Sequence, residues 1–217
     1  MNAELDFQGS AYYLDGRRLT DTELAEWRDA QVDLMVVELR ELTKRMLQID
    51  ETRPEPEPQS FRVRSPTALI SLVPGFMQAF VARVFQMTTS AYATGAGGEP
   101  FVADWRPLVE RLKTVKDAAA RLEERLLSGS LTDAQVLAQA EGFAAHATGA
   151  FEQSKLYNLR GGFRPPEQPG DKCAGGSRCR CYWEVREFED RWEGVWRAKN
   201  DRSTCDHCRA NARKWGP

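Results

Sequence analysis

Apolar positions along this chain fall into helical stripes separated by proline- and glycine-rich breaks. Val32, Met35, Leu39, Leu42, Met46 and Ile49 alternate three and four apart, which predicts a long amphipathic helix over 21–49. Thr20 and Glu23 stand at capping-box spacing at its start. A second helical region is predicted over 67–94, divided in two at Pro74-Gly75 because proline lacks the N–H that a helix interior uses. A third helix starts near Trp105-Arg106-Pro107, carries Leu108, Leu112, Val115, Ala119, Leu122 and Leu126 on one face, and stops at Gly129. A fourth opens at Thr132, with Gln135 at capping-box spacing, and runs through Val136, Ala140, Phe143, Ala147 and Ala150 to a stop before Gly161. The short loop between the last two predicts an antiparallel helical hairpin, and the small residues of the fourth helix permit close approach.

Alternation of period two appears only at the two ends. "AYYLDGRRLT" places Asp15-Gly16 between short runs, the signal of a tight hairpin turn. Near the C-terminus, "CYWEVREF" and "RWEGVWRA" flank Glu189-Asp190 and predict a second hairpin, followed by a turn and a short helix in "CDHCRANARKW". Two breaks lack either period. The proline- and glutamate-rich stretch 51–66 reads as a stiff spacer, and 163–170 as a second linker. The chain thus divides into an N-terminal hairpin and long helix (1–50), a helical body (67–162) and a tail (171–217).

The chain has 217 residues and a net charge of −2, which argues against sequence-independent nucleic-acid binding by the whole chain. The tail is mildly basic, with 11 Lys+Arg against 8 Asp+Glu. The uncharged run 68–82 has 15 residues, short of the ~18–20 that a spanning helix needs, so we read a buried core helix rather than a membrane span. "MNAELDFQGS" has neither a basic nor an apolar signal region, which predicts synthesis in a reducing cytosol.

That expectation bears on the cysteines. All five lie in the tail: Cys173, Cys179, Cys181, Cys205 and Cys208. Cys205 and Cys208 form a C-x-x-C, a spacing that lets two thiolates grip one tetrahedral metal. Cys179 and Cys181, in an extended segment, point to one face. The 23 residues between Cys181 and Cys205 are enough for one hairpin, and cysteine pairs flanking a hairpin are the logic of a zinc ribbon. The expected ligands are Cys173, Cys181, Cys205 and Cys208, with Cys179 as a substitute for Cys173; His207 is expected to face solvent. A closed set of four thiolates leaves no position for water, so Zn2+ here would be structural. It would stabilise a tail too small to rely on its core. The fold class expected is therefore mainly α, with long amphipathic helices and a small C-terminal zinc-ribbon-like β-hairpin module. A disulfide staple formed after release from the cell is the alternative, against which the odd cysteine count weighs. A redox C-x-x-C lacks a βαβ context, and a catalytic thiol lacks a base: the two histidines are His207 and His146, the latter mid-helix among alanines.

No H-E-x-x-H, G-x-S-x-G or phosphate-loop pattern is present, so no catalytic residue is assigned and no enzyme is expected. Trp183, Trp192 and Trp196 are expected to form the tail's small core. Arg178, Arg180, Arg209, Arg213 and Lys214 are the candidates for phosphate contacts if the tail is a zinc-ribbon nucleic-acid-binding or protein-adaptor regulator.

Several stretches share one order: "YYLDGRRLT" before a long helix, "AYATGAGG", "SGSLTDAQ" opening an alanine-rich helix, and "PGDKCAGGSRCRCYW…CDHCRANARKW". That order resembles small phage and prophage minor head proteins, distantly related to the Mu F-like head-morphogenesis family. The polar Arg-Thr-Glu helix signature of fuller Mu F-like domains is missing. The resemblance implies a non-enzymatic virion protein near the portal or inside the capsid, made in the bacterial host cytoplasm. It implies tail cysteines as metal ligands, and capsid or portal proteins as partners within a larger homo- or hetero-oligomeric assembly. Contact with packaged DNA is compatible with that place; a small-molecule substrate is not expected.

Overall fold

A computed structural model of the chain describes residues 5–8, 11–47, 66–97, 105–159, 168–169, 179–187, 192–199 and 204–216. The fold is mainly helical, with a small antiparallel hairpin near the C-terminus. At the N-terminus, β1 (Leu5–Gln8), β2 (Ala11–Leu14) and β3 (Arg17–Arg18) form an antiparallel sheet in that order. The expected turn joins β2 to β3. Asp15 and Gly16 both have positive φ, 50° and 76°, the backbone a two-residue hairpin loop requires. β1 was not expected, although Leu5-Asp6-Phe7-Gln8 alternates apolar and polar residues over four positions.

α1 (Asp21–Leu47) starts at the expected box: Thr20 N donates to Glu23 Oε2 at 2.9 Å, and Glu23 N donates to Thr20 Oγ1 at 3.2 Å. The region expected as two helices is one, α2 (Pro66–Gly95). Pro74 and Gly75 are exposed on its outer side, where water can satisfy the carbonyl that proline leaves without a donor. α3 (Arg106–Leu127) ends where Gly129 takes φ 64°. The predicted fourth helix is instead two, α4 (Asp133–Gly142) and α5 (Ala145–Leu159). The Thr132–Gln135 box opens α4. Around Phe143 and Ala144 the backbone bonds tighten to three-residue spacing, as in Phe143 N to Ala140 O and Ala147 N to Ala144 O, both 3.1 Å.

That break redirects the packing. α4 lies chiefly against α1, and α5 against α2. The expected α3–α4 hairpin is therefore not the main contact of either helix. The two meet through longer side chains, such as Arg125 Nη1 donating to Gln139 Oε1 at 3.2 Å. The main core joins Val32 and Leu39 of α1, Met77, Phe80 and Val84 of α2, Val115 and Leu122 of α3, and Val136 and Ala140 of α4. Phe80 meets Phe143 edge-on at 5.1 Å.

α5 is buried almost all round, from Ala147 to Leu156. α2 covers it closely: a Cβ on Gly95 would come within 2.4 Å of Phe151 O, so only glycine fits. The N-terminal sheet covers another side, where Tyr12, Leu24 and Phe151 pack together and Tyr12 OH donates to Gly95 O. The tail covers a third.

Among the described residues no helix is long and apolar enough to cross a membrane. The proline-rich stretch 51–65 and most of the second linker lie outside the described residues.

Candidate metal centre

The tail consists of β4 (Tyr182–Glu187), β5 (Trp192–Arg197) and α6 (Asp206–Trp215). β4 and β5 pair antiparallel, with Trp183 opposite Trp196. Their rings meet edge-on at 5.2 Å, and Trp215 of α6 lies 6.5 Å from Trp183. Trp183 and Trp196 are buried, as expected of the tail's core; the side chain of Trp192 lies outside the described set. This core is shared with the body, because Leu156 of α5 belongs to it.

Three thiols converge beside these rings. Cys179 and Cys181 come from the segment entering β4, Cys208 from the first turn of α6, and all three are buried. Their sulfurs lie within 4.8 Å of one another, an arrangement able to hold a metal ion. Cys179 Sγ and Cys208 Sγ are 3.9 Å apart. Two sulfurs each about 2.3 Å from one tetrahedral zinc are separated by about 3.8 Å, so this distance is the edge of such a site. It is roughly twice the ~2.04 Å of a disulfide bond.

Without a cation the three thiols compete for charge. The Cys179 thiol pushes Cys181 up to about 12, with burial adding to the effect and Cys208 opposing it. Hydrogen bonds from Cys179 and then Cys181 push Cys208 far above the ordinary thiol range, again with burial adding. A divalent cation reverses that preference by replacing the protons.

The remaining cysteines divide. Cys205 is the N-cap of α6, outside the cluster of three, and its Sγ accepts Cys208 N–H at 3.4 Å. That bond is the backbone-to-sulfur contact expected within a metal-gripping C-x-x-C. Cys173 lies outside the described residues. The structure places Cys179, expected as a substitute ligand, in the cluster with Cys181 and Cys208. His207, expected to face solvent, is half-buried, with Nε2 3.3 Å from Asn211 Nδ2.

The basic candidates that are described lie at the entry to β4 (Arg180) and on α6 (Arg209, Arg213 and Lys214). Arg180 pairs with Asp29 and Asp33 of α1, and Arg209 with Asp206 at 3.2 Å. Lys214 Nζ sits 4.5 Å over the Trp215 ring, Arg213 is exposed on α6, and Arg178 lies outside the described residues.

Sequence reasoning missed what holds the tail to the body. β4 is paired on one side only, so its other edge presents unpaired backbone groups. Side chains of α1 and α5 cover that edge. Arg28 Nη1 donates to Cys181 O at 3.3 Å, Lys155 Nζ to Trp183 O at 3.3 Å, and Asp21 Oδ2 accepts from Val185 N at 3.1 Å. Glu152 joins the two cations, its Oε1 2.6 Å from Arg28 Nη1 and its Oε2 3.2 Å from Lys155 Nζ. Exposure of the Arg28, Glu152 and Lys155 side chains is 2%, 0% and 3%, so this is an ionic layer shut away from water. One signal for it exists in the sequence: Arg28 stands four residues before Val32, on the buried stripe.

Comparison with known proteins finds no matching family model, curated protein or solved structure.

Proposed function

We propose that the protein is a non-enzymatic structural component of a phage head, associated with the portal or the capsid interior, whose tail is a zinc-ribbon-like module held by structural Zn2+. Cys179, Cys181 and Cys208 are three ligands, and the fourth is Cys205, one turn before Cys208, or Cys173. The single observation that carries the zinc reading is the buried three-thiol cluster beside Trp183 and Leu156. A metal enclosed there has no route to substrate, so its work is to fix the hairpin, α6 and the body relative to one another.

The virion reading is supported by the order of sequence stretches up to the cysteine-rich end. Large apolar side chains exposed on three helices, Leu34 and Val37 of α1, Leu72 of α2, Val109 and Leu127 of α3, are compatible with burial against capsid or portal proteins. The alternative, a nucleic-acid or adaptor module, draws on Arg178, Arg180, Arg209, Arg213 and Lys214. The ion pairs of Arg180 with Asp29 and Asp33 favour the structural reading, since they hold that guanidinium against α1.

The test is direct. Particles are produced from a host carrying the encoding genome, purified with their DNA, and digested for mass spectrometry. Peptides of this chain at a fixed ratio to the capsid protein are the expected result. Intact particles without the chain sink the virion reading.

A further inference from the structure

The ionic layer under β4 is unevenly buried. Arg28, Lys155 and Arg180 face two enclosed carboxylates, Glu152 and Asp29, while Asp33 stands at the rim with its side chain 62% exposed. The two deepest cations, Arg28 and Lys155, share one equally enclosed acid, Glu152; Asp29, 16% exposed, is the second acid of Arg28, and Asp33 at the rim answers Arg180. A buried charge is costly unless a counter-charge lies close. The same layer touches the cysteine segment: Arg28 donates to the carbonyl of Cys181, Arg180 is the residue between Cys179 and Cys181, and the Arg28 guanidinium is within electrostatic reach of Cys179. A divalent metal carries one negative charge overall with three thiolates and two with four.

We propose that the buried cations Arg28 and Lys155 are the counter-charge of an anionic metal–thiolate centre, so that metal loading and docking of the tail on α1 and α5 are one coupled event. This inference rests on the zinc reading and adds its regulation. Arg28 and Lys155 are positioning residues: they touch the carbonyls of the cysteine-bearing strand, not the metal. With metal bound, the centre's negative charge draws the β4 edge onto the two cations. With metal removed and the thiols protonated, the negative charge of the centre is gone, Arg28 and Lys155 keep only the acids they share, and the tail's hold on the body weakens. Through α1, the same clamp links the C-terminal module to the N-terminal part of the chain.

The experiment measures zinc affinity of the full chain at one pH, by competition with a chromophoric chelator, with thermal melting recorded alongside. Arg28→Met and Lys155→Met each remove a cation and are expected to weaken zinc binding roughly 10- to 100-fold, the usual effect of losing an outer-shell partner. Glu152→Gln removes an anion. It is expected to lower the melting temperature while leaving zinc affinity unchanged or higher, a sign that a purely structural role does not produce. Parent-like zinc affinity in Arg28→Met overturns the inference, as does a Glu152→Gln chain whose zinc affinity falls like that of Arg28→Met. Where Arg28→Met does not hold its fold, Lys155→Met decides by the same criterion. A parent chain that binds no zinc defeats the zinc reading itself, and the coupling with it.

Discussion

The helical body and the C-terminal hairpin are held together by different physics. In the body, apolar side chains from four helices interlock, and Phe80, Leu39, Val115 and Val136 are fully buried. Removing such groups leaves cavities, a cost spread over many contacts. The tail's core has two buried tryptophans, Val185, a cluster of thiols and one leucine contributed by α5, with Trp215 packed against it. Its remaining grip on the body is ionic, through Asp21, Arg28, Glu152 and Lys155. Apolar packing tolerates local defects. A buried charge network does not, because taking away one member strands the others.

This contrast can be broken at several points. The largest effect is expected from Glu152→Ala, which leaves Arg28 and Lys155 buried without their shared acid. A loss of about 3–5 kcal/mol is expected from such a break, read as a fall in the denaturation midpoint. The near-UV signal of Trp183 and Trp196 should be lost at lower denaturant than the helical signal. Coincident loss of both signals would make body and tail one unit.

Phe80→Ala probes the other side. Its ring fills the main core against Phe143, and a loss of about 3–4 kcal/mol is expected, with the zinc affinity of the tail unchanged. A large fall in zinc affinity would show that the body's core reaches the metal centre.

A smaller change is expected from Gly95→Ala, whose added methyl meets Phe151 O and forces α2 away from α5. Overpacking of this kind costs about 1–3 kcal/mol. A variant as stable as the parent would mean that the two helices separate freely.

The smallest effect is at the α1 N-terminus. The Thr20 backbone N–H, then Arg17 and the Thr20 hydroxyl, hold Glu23 down at about 2, against an ordinary 4.5. A depressed carboxyl contributes stability that is present above pH 4.5 and is lost as pH falls toward 2. Melting temperatures of the parent and Glu23→Gln should therefore differ slightly at pH 6 and converge near pH 2. A difference independent of pH would contradict the role of the charge.

Much of the body was legible because local chemistry decided it. Asp15-Gly16, the Thr20–Glu23 and Thr132–Gln135 boxes, and the stripes of α1 and α3 each express a preference that nothing nearby opposes. Pro74 misled because its helix-breaking effect depends on which side of the helix it faces, and here that side is exposed. The split between α4 and α5 was hidden because the alanine-rich stripe continues through it. In α5, Glu152 and Lys155 look like a solvated face until β4 arrives from across the chain to cover them. Of the metal centre, the residue type and the hairpin between the cysteine groups were readable. Which sulfurs meet was not, since that depends on how the segment before β4 lies against α6.

Metal content and thiol titration on the full chain, purified under reducing conditions, bear on all of this at once. We predict about one zinc per chain and one reactive thiol among the five cysteines, with four thiolates shielded by the metal. A metal-free chain whose cysteines pair on oxidation would contradict the zinc centre and make the tail a disulfide-held module.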